Sequence, residues 1–289
     1  MSIEVNQVTY TYMPQTAFER TALSKITLTI EEGVLTAIAG HTGSGKSTLV
    51  QHLNGILHPT QGSVMVDGQD LAAKDKTAIT ARRRVGMVFQ YPEHQLFEET
   101  VEEDIAFGPK NLGLSAEEIA RRVRRAMELV RLDYDTYRER SPFQLSGGQK
   151  RRAAIAGVLA MEPKYLVLDE PTAGLDPRGR DDLLQRIVRL HREKKMTVIF
   201  VSHNMDDIAR LADRVIFMHE GRVLLDAPPR EAFQEKSALE TAGLEEPETV
   251  TLLEKLQQRG LAVNTDAFTA EETAQRIIRA LRKRGGGQC

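Results

Sequence analysis

The segment Gly40 to Ser47 constrains the fold of this chain more than any other stretch. It reads Gly-His-Thr-Gly-Ser-Gly-Lys-Ser and fits the pattern G-x-x-x-x-G-K-[ST]. An apolar run from Val34 to Ala39 precedes it and predicts a buried strand, while Leu49 and Leu53 follow at helical spacing. A glycine-rich loop between a strand and a helix turns backbone N–H groups and the positive end of the helix dipole toward an anion. The segment therefore predicts a phosphate-binding loop in an α/β domain.

Short apolar runs indicate the rest of the sheet. Four of them are predicted to be strands, at residues 85–89, 165–168, 197–201 and 215–218. Helical patterns fall between several of these strands, which is typical of a parallel, doubly wound sheet. Nearer the N-terminus, alternating apolar positions from Ile3 to Val8 and from Leu23 to Ile30 predict antiparallel strands with one buried face.

The pattern changes twice further along the chain. Between about residues 91 and 162 helical spacing replaces the strand signals, which predicts a helical subdomain. Pro228-Pro229 marks a second boundary, followed by a charged segment with a final helix near Glu271 to Lys283. We therefore expect one α/β domain over residues 1–228 and a small helical extension over residues 229–289.

Composition limits the possible partners and compartments. A net charge of −2 argues against binding to nucleic acid. The single cysteine, Cys289, cannot form an internal disulfide, which favours a reducing cytosol. The N-terminus lacks the features of a signal peptide, and the longest apolar stretch, Ala153 to Met161, is much shorter than the roughly 20 residues that span a bilayer. We expect a chain that does not cross a membrane unaided.

Two carboxylates follow the apolar strand at Tyr165 to Leu168. Asp169 is placed to hold Mg²⁺ through water, and Glu170 is a candidate base that orients an attacking water. In the phosphate loop, Lys46 should reach the β- and γ-phosphates of a nucleotide, and the Ser47 hydroxyl should ligate Mg²⁺. An isolated Asp-Glu pair would more simply be a surface turn at a strand end.

The pentapeptide Leu145-Ser146-Gly147-Gly148-Gln149 lies between the phosphate loop and the acidic strand. Together with Asp169-Glu170 and the run Pro171 to Asp176, it resembles the signature of the ATP-binding cassette (ABC) family. The resemblance implies an ATPase with a P-loop core sheet, an antiparallel β subdomain and a helical subdomain. In that family the signature caps the nucleotide held by a partner subunit, so this chain is expected to form half of a two-subunit ATPase.

The same resemblance assigns further roles. Gln90 is similar to the glutamine that senses Mg²⁺, His203 to the switch histidine near the γ-phosphate, and Tyr12 to the aromatic that stacks on adenine, with Tyr10 as the alternative. It implies ATP and Mg²⁺ as cofactors, Lys46, Gln90, Glu170 and His203 as catalytic residues, and Ser47, Gln90 and Asp169 as metal ligands. The implied nucleotide-binding residues are Tyr12, Gly40, His41, Thr42, Gly43, Ser44, Gly45, Lys46, Ser47, Thr48, Gln90, Ser146, Gly147, Gly148, Gln149 and Asp176.

The stretch Gln90 to Val101, continuing to Ile105 to Pro109, resembles the ATPases of energy-coupling factor (ECF) transporters, specifically the second of two paralogous subunits. This implies pairing with a second ABC ATPase, either a paralogue or a second copy, and contact with a transmembrane coupling protein near Glu93 to Asp104. A small substrate-binding membrane protein would be an indirect partner. The implied activity is import of vitamins or transition-metal ions, from the cytoplasmic face of a prokaryotic membrane. The C-terminal extension is expected to contribute dimer contacts.

A cluster of carboxylates supports that docking segment. Its members are Glu93, Glu98, Glu99, Glu102, Glu103 and Asp104. In the ECF family the coupling protein presents arginine-bearing helices, which an acidic groove would suit. Gln95, Leu96 and Phe97 are expected to form its floor. The simpler interpretation is that these carboxylates only solvate a surface helix.

Three functions are alternatives to an ECF-type ATPase. The ATPase of a conventional ABC importer or exporter shares every motif up to Gln90. A cassette protein that acts on DNA or ribosomes would usually carry two cassettes, a coiled-coil insertion or a basic balance. A binding module without catalysis is disfavoured because Lys46, Asp169, Glu170 and His203 are all present.

Overall fold

The computed structural model describes residues 1–285 and divides the chain into two compact units. Unit 1 comprises Met1–Leu35 and Ser47–Val201, and unit 2 comprises Thr36–Lys46 and Ser202–Cys289. Cys289, on which the expectation of a reducing compartment rests, lies outside the described residues.

The described chain alternates strands and helices. The strands are β1 (Ser2–Tyr12), β2 (Arg20–Glu31), β3 (Leu35–Ala39), β4 (Gln61–Val66), β5 (Gln69–Asp70), β6 (Val85–Val88), β7 (Tyr165–Asp169), β8 (Thr197–Val201), β9 (Arg214–His219) and β10 (Arg222–Ala227). The α-helices are α1 (Lys46–Leu53), α2 (Lys76–Arg83), α3 (Val101–Asn111), α4 (Ala116–Leu129), α5 (Tyr134–Tyr137), α6 (Gly147–Ala160), α7 (Pro177–Lys194), α8 (Met205–Leu211), α9 (Pro229–Ala232), α10 (Lys236–Ala242), α11 (Glu248–Gln258) and α12 (Ala270–Gly285).

Unit 1 contains an antiparallel sheet in the order β2-β1-β4-β5. Ile3 pairs with Ile30, and Val5 pairs with Leu28, so the alternating apolar positions of both strands share one buried face. This confirms the predicted antiparallel strands. Strands β4 and β5 were not predicted, because β4 offers only Val64 and Val66 as alternating buried positions after a Gln-Gly start.

Unit 1 also contains the parallel strands β6, β7 and β8, with β7 in the middle. All residues of these three strands are buried, which explains why the sequence shows continuous apolar runs instead of alternation. The register pairs Asp169 with Val201, so the acidic residue lies at the carboxyl end of β7. The predicted positions of all three strands are confirmed to within one residue.

Helices fill the chain between β6 and β7. Residues 92–160 form two short 3₁₀ turns, at Pro92–Gln95 and Pro142–Gln144, and the helices α3 to α6. Helices α3, α4 and α6 each begin after a hydroxyl side chain that accepts an N–H of the first turn, from Thr100, Ser115 and Ser146. The helical character predicted for this part of the chain is confirmed.

In unit 2, β3 pairs in parallel with β9, and β9 turns back into the antiparallel strand β10. The C-terminal part is helical, and its own small core is formed by Leu253, Leu261, Val263, Ala267 and Ala280. The predicted final helix is present as α12. The predicted domain boundary after residue 228 stays a prediction. No helix within residues 1–285 is both long enough and apolar enough to span a bilayer.

Candidate active site

The glycine-rich loop between β3 and α1 is closed by its own lysine. Lys46 is buried, and its Nζ donates to the carbonyl oxygens of Gly40, at 2.8 Å, and His41, at 3.0 Å. A Cβ on Gly40 would lie 2.3 Å from the carbonyl oxygen of Met218, so only glycine fits there. The loop is therefore a tight ring around a buried ammonium.

The loop also fits a phosphate group. The Ser44 hydroxyl is buried and has no hydrogen-bond partner among the described residues. Gly43 and Gly45 have φ values of +84° and +103°, and helix α1 begins at Lys46. An anionic oxygen requires hydrogen-bond donors. The loop provides a buried hydroxyl, a buried ammonium and a helix N-terminus, next to two glycines with positive φ.

In unit 2 the start of the loop shares a cavity with the predicted switch histidine. This cavity of about 330 Å³ is lined by Gly40, His41, His203 and Asn204, together with residues of the C-terminal part, among them Gly243 to Glu246. His203 is exposed. These C-terminal residues were not predicted to belong to the site, because the sequence carries no recognisable motif there.

In unit 1 two of the residues predicted to be catalytic, Gln90 and Glu170, are in direct contact. Nε2 of Gln90 donates to Oε2 of Glu170 at 2.9 Å. The backbone N–H of Glu170 donates to the carbonyl oxygen of Val201 at 3.2 Å, and its φ of +48° places it in the left-handed region. Left-handed backbone is uncommon outside glycine. The packing around this turn, and not the intrinsic preference of Glu170, therefore holds the backbone of Glu170 in this conformation.

The three residues predicted to ligate Mg²⁺ are Ser47, Gln90 and Asp169, and all belong to unit 1. Asp169 is buried, and the amide oxygen of Gln90 is not the atom engaged with Glu170. Within residues 1–285 no group of three or more His, Cys, Asp or Glu side chains could hold a metal ion. These oxygen donors suit Mg²⁺ only if phosphate oxygens and waters complete an octahedral shell.

The signature residues begin helix α6. Oγ of Ser146 accepts from the Gln149 N–H at 3.4 Å, and the Gln149 side chain accepts from the Ser146 N–H at 2.9 Å, which forms a capping box. Because the hydroxyl accepts in this bond, its own proton stays available to donate. A Cβ at Gly147 or Gly148 would meet no atom within 4 Å, so this backbone is open to approach by another molecule.

Asp176 and the signature lie on one cavity of about 430 Å³ in unit 1, whose lining includes Ser146, Gly148, Gln149 and Asp176. Oδ1 of Asp176 accepts the backbone N–H groups of Arg178 and Gly179, each at 3.0 Å, and so caps α7. The structure therefore brings together residues that the sequence placed about 30 positions apart.

The two candidate adenine-stacking tyrosines differ in their surroundings. Tyr12 is 38% exposed, and its hydroxyl is 3.1 Å from Oγ1 of Thr48 in helix α1. Tyr10 packs edge-on between Tyr12 and the buried His52, with both ring centroids 4.8 Å away. Burial raises the pKa of Tyr10, as does the neighbouring Tyr12. The exposed ring of Tyr12 is therefore the better stacking surface.

Arg151 is the main site residue that the sequence analysis missed. Its buried guanidinium donates to the carbonyl oxygens of Pro171, at 3.2 Å, and Ala173, and forms an ion pair with Glu93 at 3.4 Å. It also lies 3.4 Å from the carbonyl oxygen of Gln90. One side chain thus joins the signature helix to the segments that carry Gln90 and Glu170. The feature of the sequence that could have identified Arg151 is its position two residues after the signature.

Only some of the carboxylates in the acidic segment lack a partner within the described part of the chain. Asp104 is buried and accepts the backbone N–H groups of Phe97, at 3.1 Å, and Glu98, at 3.2 Å. Burial raises the pKa of Asp104 despite these hydrogen bonds. Three more carboxylates have partners within the chain: Glu93 with Arg151, Glu102 with Tyr134, and Glu103 with Thr100. Within the described residues, Glu98 and Glu99 are the members of the cluster whose carboxylates make no such contact.

A largely apolar groove lies beside this segment. Gln95, Leu96 and Phe97 line its cavity of about 410 Å³, together with Phe107 and small residues of α6. Phe97 is 58% exposed and meets Phe107 edge-on, with ring centroids 4.9 Å apart. Gln95, Leu96 and Phe97 thus line the groove, with Leu96 itself buried. The groove was expected to be acidic, but of the six carboxylates its lining includes Asp104.

Comparison with known proteins identifies the family. The model of the family described as "ABC transporter" matches residues 23–173. The chain is 52% identical to the energy-coupling factor transporter ATP-binding protein EcfA2 of Clostridium perfringens, over 98% of this chain and 99% of that protein. It is 51% identical to the EcfA2 protein of Symbiobacterium thermophilum, over 99% of each chain.

Solved structures agree in fold. One is CbiO1 from Clostridium perfringens, part of the ABC transporter complex CbiONQ, with a TM-score of 0.72, 40% identity and coverage of 82% of this chain and 92% of that one. Another is the dimeric ATP-binding cassette MJ0796 with ADP and phosphate, with a TM-score of 0.70, 30% identity and coverage of 78% and 98%. The α/β cassette fold and ABC ATPase activity predicted from the motifs are confirmed. The chain belongs to the ABC transporter family and, within it, to the energy-coupling factor transporter ATP-binding proteins.

Proposed function

We propose that this chain is an ATP-hydrolysing subunit that powers import of vitamins or transition-metal ions by an ECF-type transporter. ATP closes a dimer of two cassettes, and hydrolysis opens it again. The observation that carries this proposal is the cavity that Ser146, Gly148 and Asp176 share, because the Ser146 hydroxyl can donate there and the backbone at Gly147 and Gly148 is open to a second cassette. Relatives about 50% identical over nearly the whole chain favour the ECF type over a conventional importer or exporter.

Each site residue has a role in this cycle. Lys46 and the N–H groups of Gly43 and Gly45 hold the β- and γ-phosphates, and Tyr12 stacks on adenine. Ser47, Gln90 and Asp169 would hold Mg²⁺ together with phosphate and water, and the bound ion would neutralise charge on the phosphates. Glu170 is the proposed base that orients water, and Gln90 holds its carboxylate through their hydrogen bond. His203 is proposed to act near the γ-phosphate.

The adenine assignment predicts a specific loss of affinity. Tyr12→Ala should weaken ATP binding by roughly 10-fold, since one base–aromatic stack is worth about 1–3 kcal/mol. Tyr12→Phe keeps the ring and loses only the hydrogen bond to Thr48, so it should bind nearly as the parent does. The measurement is calorimetric titration of the full chain with MgATP. If Tyr10→Ala weakened binding more than Tyr12→Ala at equal fold stability, the assignment would move to Tyr10.

The partners are a second ABC ATPase and a transmembrane coupling protein, with a small substrate-binding membrane protein as an indirect partner. We infer that the groove beside Phe97 receives a helix of the coupling protein that carries an arginine. The apolar walls, from Leu96 to Phe107, accept the helix. Glu98 and Glu99 do not line the groove but directly follow Phe97 in the chain, and their carboxylates are left to pair with a guanidinium. The chain would then work as a peripheral protein at the cytoplasmic face of a prokaryotic membrane.

This docking model predicts a charge effect. The double variant Glu98→Lys with Glu99→Lys should lower co-purification of the coupling protein at least 10-fold, because it replaces two attractions with repulsions. The affinity for MgATP should stay at the parent value. A matched control reverses Glu117 and Glu128, two exposed carboxylates of α4 on the same subdomain. Equal recovery of the coupling protein with both double variants would contradict the docking site.

A further inference from the structure

The end of helix α10 contacts the phosphate loop directly. The backbone N–H of His41, the second residue of the loop, donates to the carbonyl oxygen of Ala242 at 3.2 Å. Gly243 follows in the left-handed conformation, with φ of +64°, and a Cβ there would lie 3.6 Å from Cβ of His41. The C-terminal part of the chain thus fixes the direction of the second amide of the loop.

A second contact lies on the side of the switch histidine. Helix α11 begins at Glu248 after Pro247, and Pro247 offers no side-chain cap. Oδ1 of Asp206 accepts the backbone N–H of Glu248 at 2.9 Å and so supplies the missing cap from another element. Asp206 lies in the first turn of α8, three residues after His203. The start of α11 is therefore joined to the turn that carries the switch histidine.

Both contacts are made by residues 236–248, which we name the α10–α11 brace. Nζ of Lys236 forms ion pairs with Glu246, at 3.2 Å, and with Glu254 of α11, at 2.7 Å. Leu239 and Ala242 are buried. A segment with buried apolar anchors can hold the residues that it contacts in one conformation.

The contacts converge on one space. The cavity of about 330 Å³ in unit 2 has Gly40, His41 and His203 on its wall, and the brace supplies Gly243 to Glu246 and Glu248. We infer that the α10–α11 brace is a positioning element for nucleotide binding within its own chain. It holds the start of the phosphate loop and the switch turn in the arrangement that receives phosphate, in addition to any dimer contacts of the C-terminal extension. This inference rests on the proposed binding of ATP by this loop.

The test uses variants of the full chain that break each contact. Asp206→Ala removes the cap of α11, whereas Asp206→Asn keeps an oxygen acceptor and should restore parent behaviour. Gly243→Val forces a β-branched residue into the left-handed region beside His41. Gly260→Val is the matched control: Gly260 has φ of +84° at the end of α11, and a Cβ there would meet no atom within 4 Å.

Two readouts separate the possible outcomes. Hydrogen exchange of the segment 36–46 without nucleotide should be several-fold faster in Asp206→Ala and Gly243→Val than in the parent, Asp206→Asn or Gly260→Val. ADP titration should show about 3- to 10-fold weaker binding in the same two variants, at every protein concentration. Melting temperature and circular dichroism identify any variant that has lost its fold, and Asp206→Ala decides if Gly243→Val does so.

Parent exchange and parent ADP affinity in a folded Asp206→Ala variant would overturn the inference. So would a loss of affinity that appears only at concentrations where the chain dimerises, because that would assign the brace to dimer contacts alone. If the parent chain itself failed to bind ADP, the proposed function would fail, and the exchange experiment would still decide whether the brace orders the loop.

Discussion

Replacing Glu170 with Gln should lower ATP hydrolysis by about 10²- to 10⁴-fold, the usual contribution of a general base, while ATP still binds. The substitution is close to isosteric. The glutamine carbonyl can still accept from Nε2 of Gln90, now 2.9 Å from the carboxylate, and the backbone bond to Val201 does not depend on the side chain. The change therefore removes the charge of the base and little else.

The expected physical state of this variant is a closed dimer. In the proposed cycle, ATP joins two cassettes through the phosphate loop of one and the signature of the other, and without hydrolysis nothing releases them. Size-exclusion chromatography with MgATP should show a dimer that persists in Glu170→Gln and dissociates in the parent. Glu128→Gln, at an exposed position of α4, serves as the control and should behave as the parent does. Hydrolysis near the parent rate in Glu170→Gln would mean that another group is the base.

Replacing Arg151 with Met should lower the free energy of unfolding by about 3 kcal/mol, at the lower end of the cost of breaking a buried ion pair. The methionine keeps part of the volume but leaves the carbonyl oxygens of Pro171 and Ala173 without their donor. Glu93 loses its partner but is about one-fifth exposed, so water recovers part of the loss. The measurement is urea denaturation of the full chain.

The same variant should also hydrolyse ATP poorly, because Arg151 joins the backbone at Gln90 to the turn that follows Glu170. Arg121→Met is the control, since Arg121 is exposed and pairs with Glu118 on the surface of α4. Surface ion pairs contribute only about 0–1 kcal/mol, so this control should unfold nearly as the parent does. If both variants unfolded at the same urea concentration, the structural role given to Arg151 would be wrong.

The elements that sequence reasoning located have strong local signals. Buried parallel strands such as β7 and β8 are continuous apolar runs, and the phosphate loop is a fixed pattern of glycines. Strands β4 and β10 were missed because β4 has only two buried residues, β10 has none, and each strand is six residues long. A pattern that short does not distinguish a strand from a loop.

The parts of the site that were missed depend on contacts between distant residues. Arg151 acts on residues about 20 and 60 positions away, and Ala242 reaches back to His41 across about 200. In the acidic segment, residues that are close in sequence differ in their contacts. Its six carboxylates look alike in sequence, but Asp104 caps a turn from a buried position while Glu98 and Glu99 stay available to a partner. The sequence shows which residues are charged, whereas the fold determines whether each charge is paired within the chain or exposed to a partner.

The central claim is that this chain is one ATPase of an ECF transporter, and recovery of its native complex tests that claim most directly. The chain would be isolated with its partners from detergent-solubilised native membranes, and every co-eluting protein would be identified. We expect a related but distinct ATPase, one transmembrane coupling protein and one or more small membrane proteins to co-elute, and the identities of the small proteins would also name the cargo. Recovery with a single dedicated permease and no such small proteins would contradict the account and assign the chain to a conventional ABC transporter.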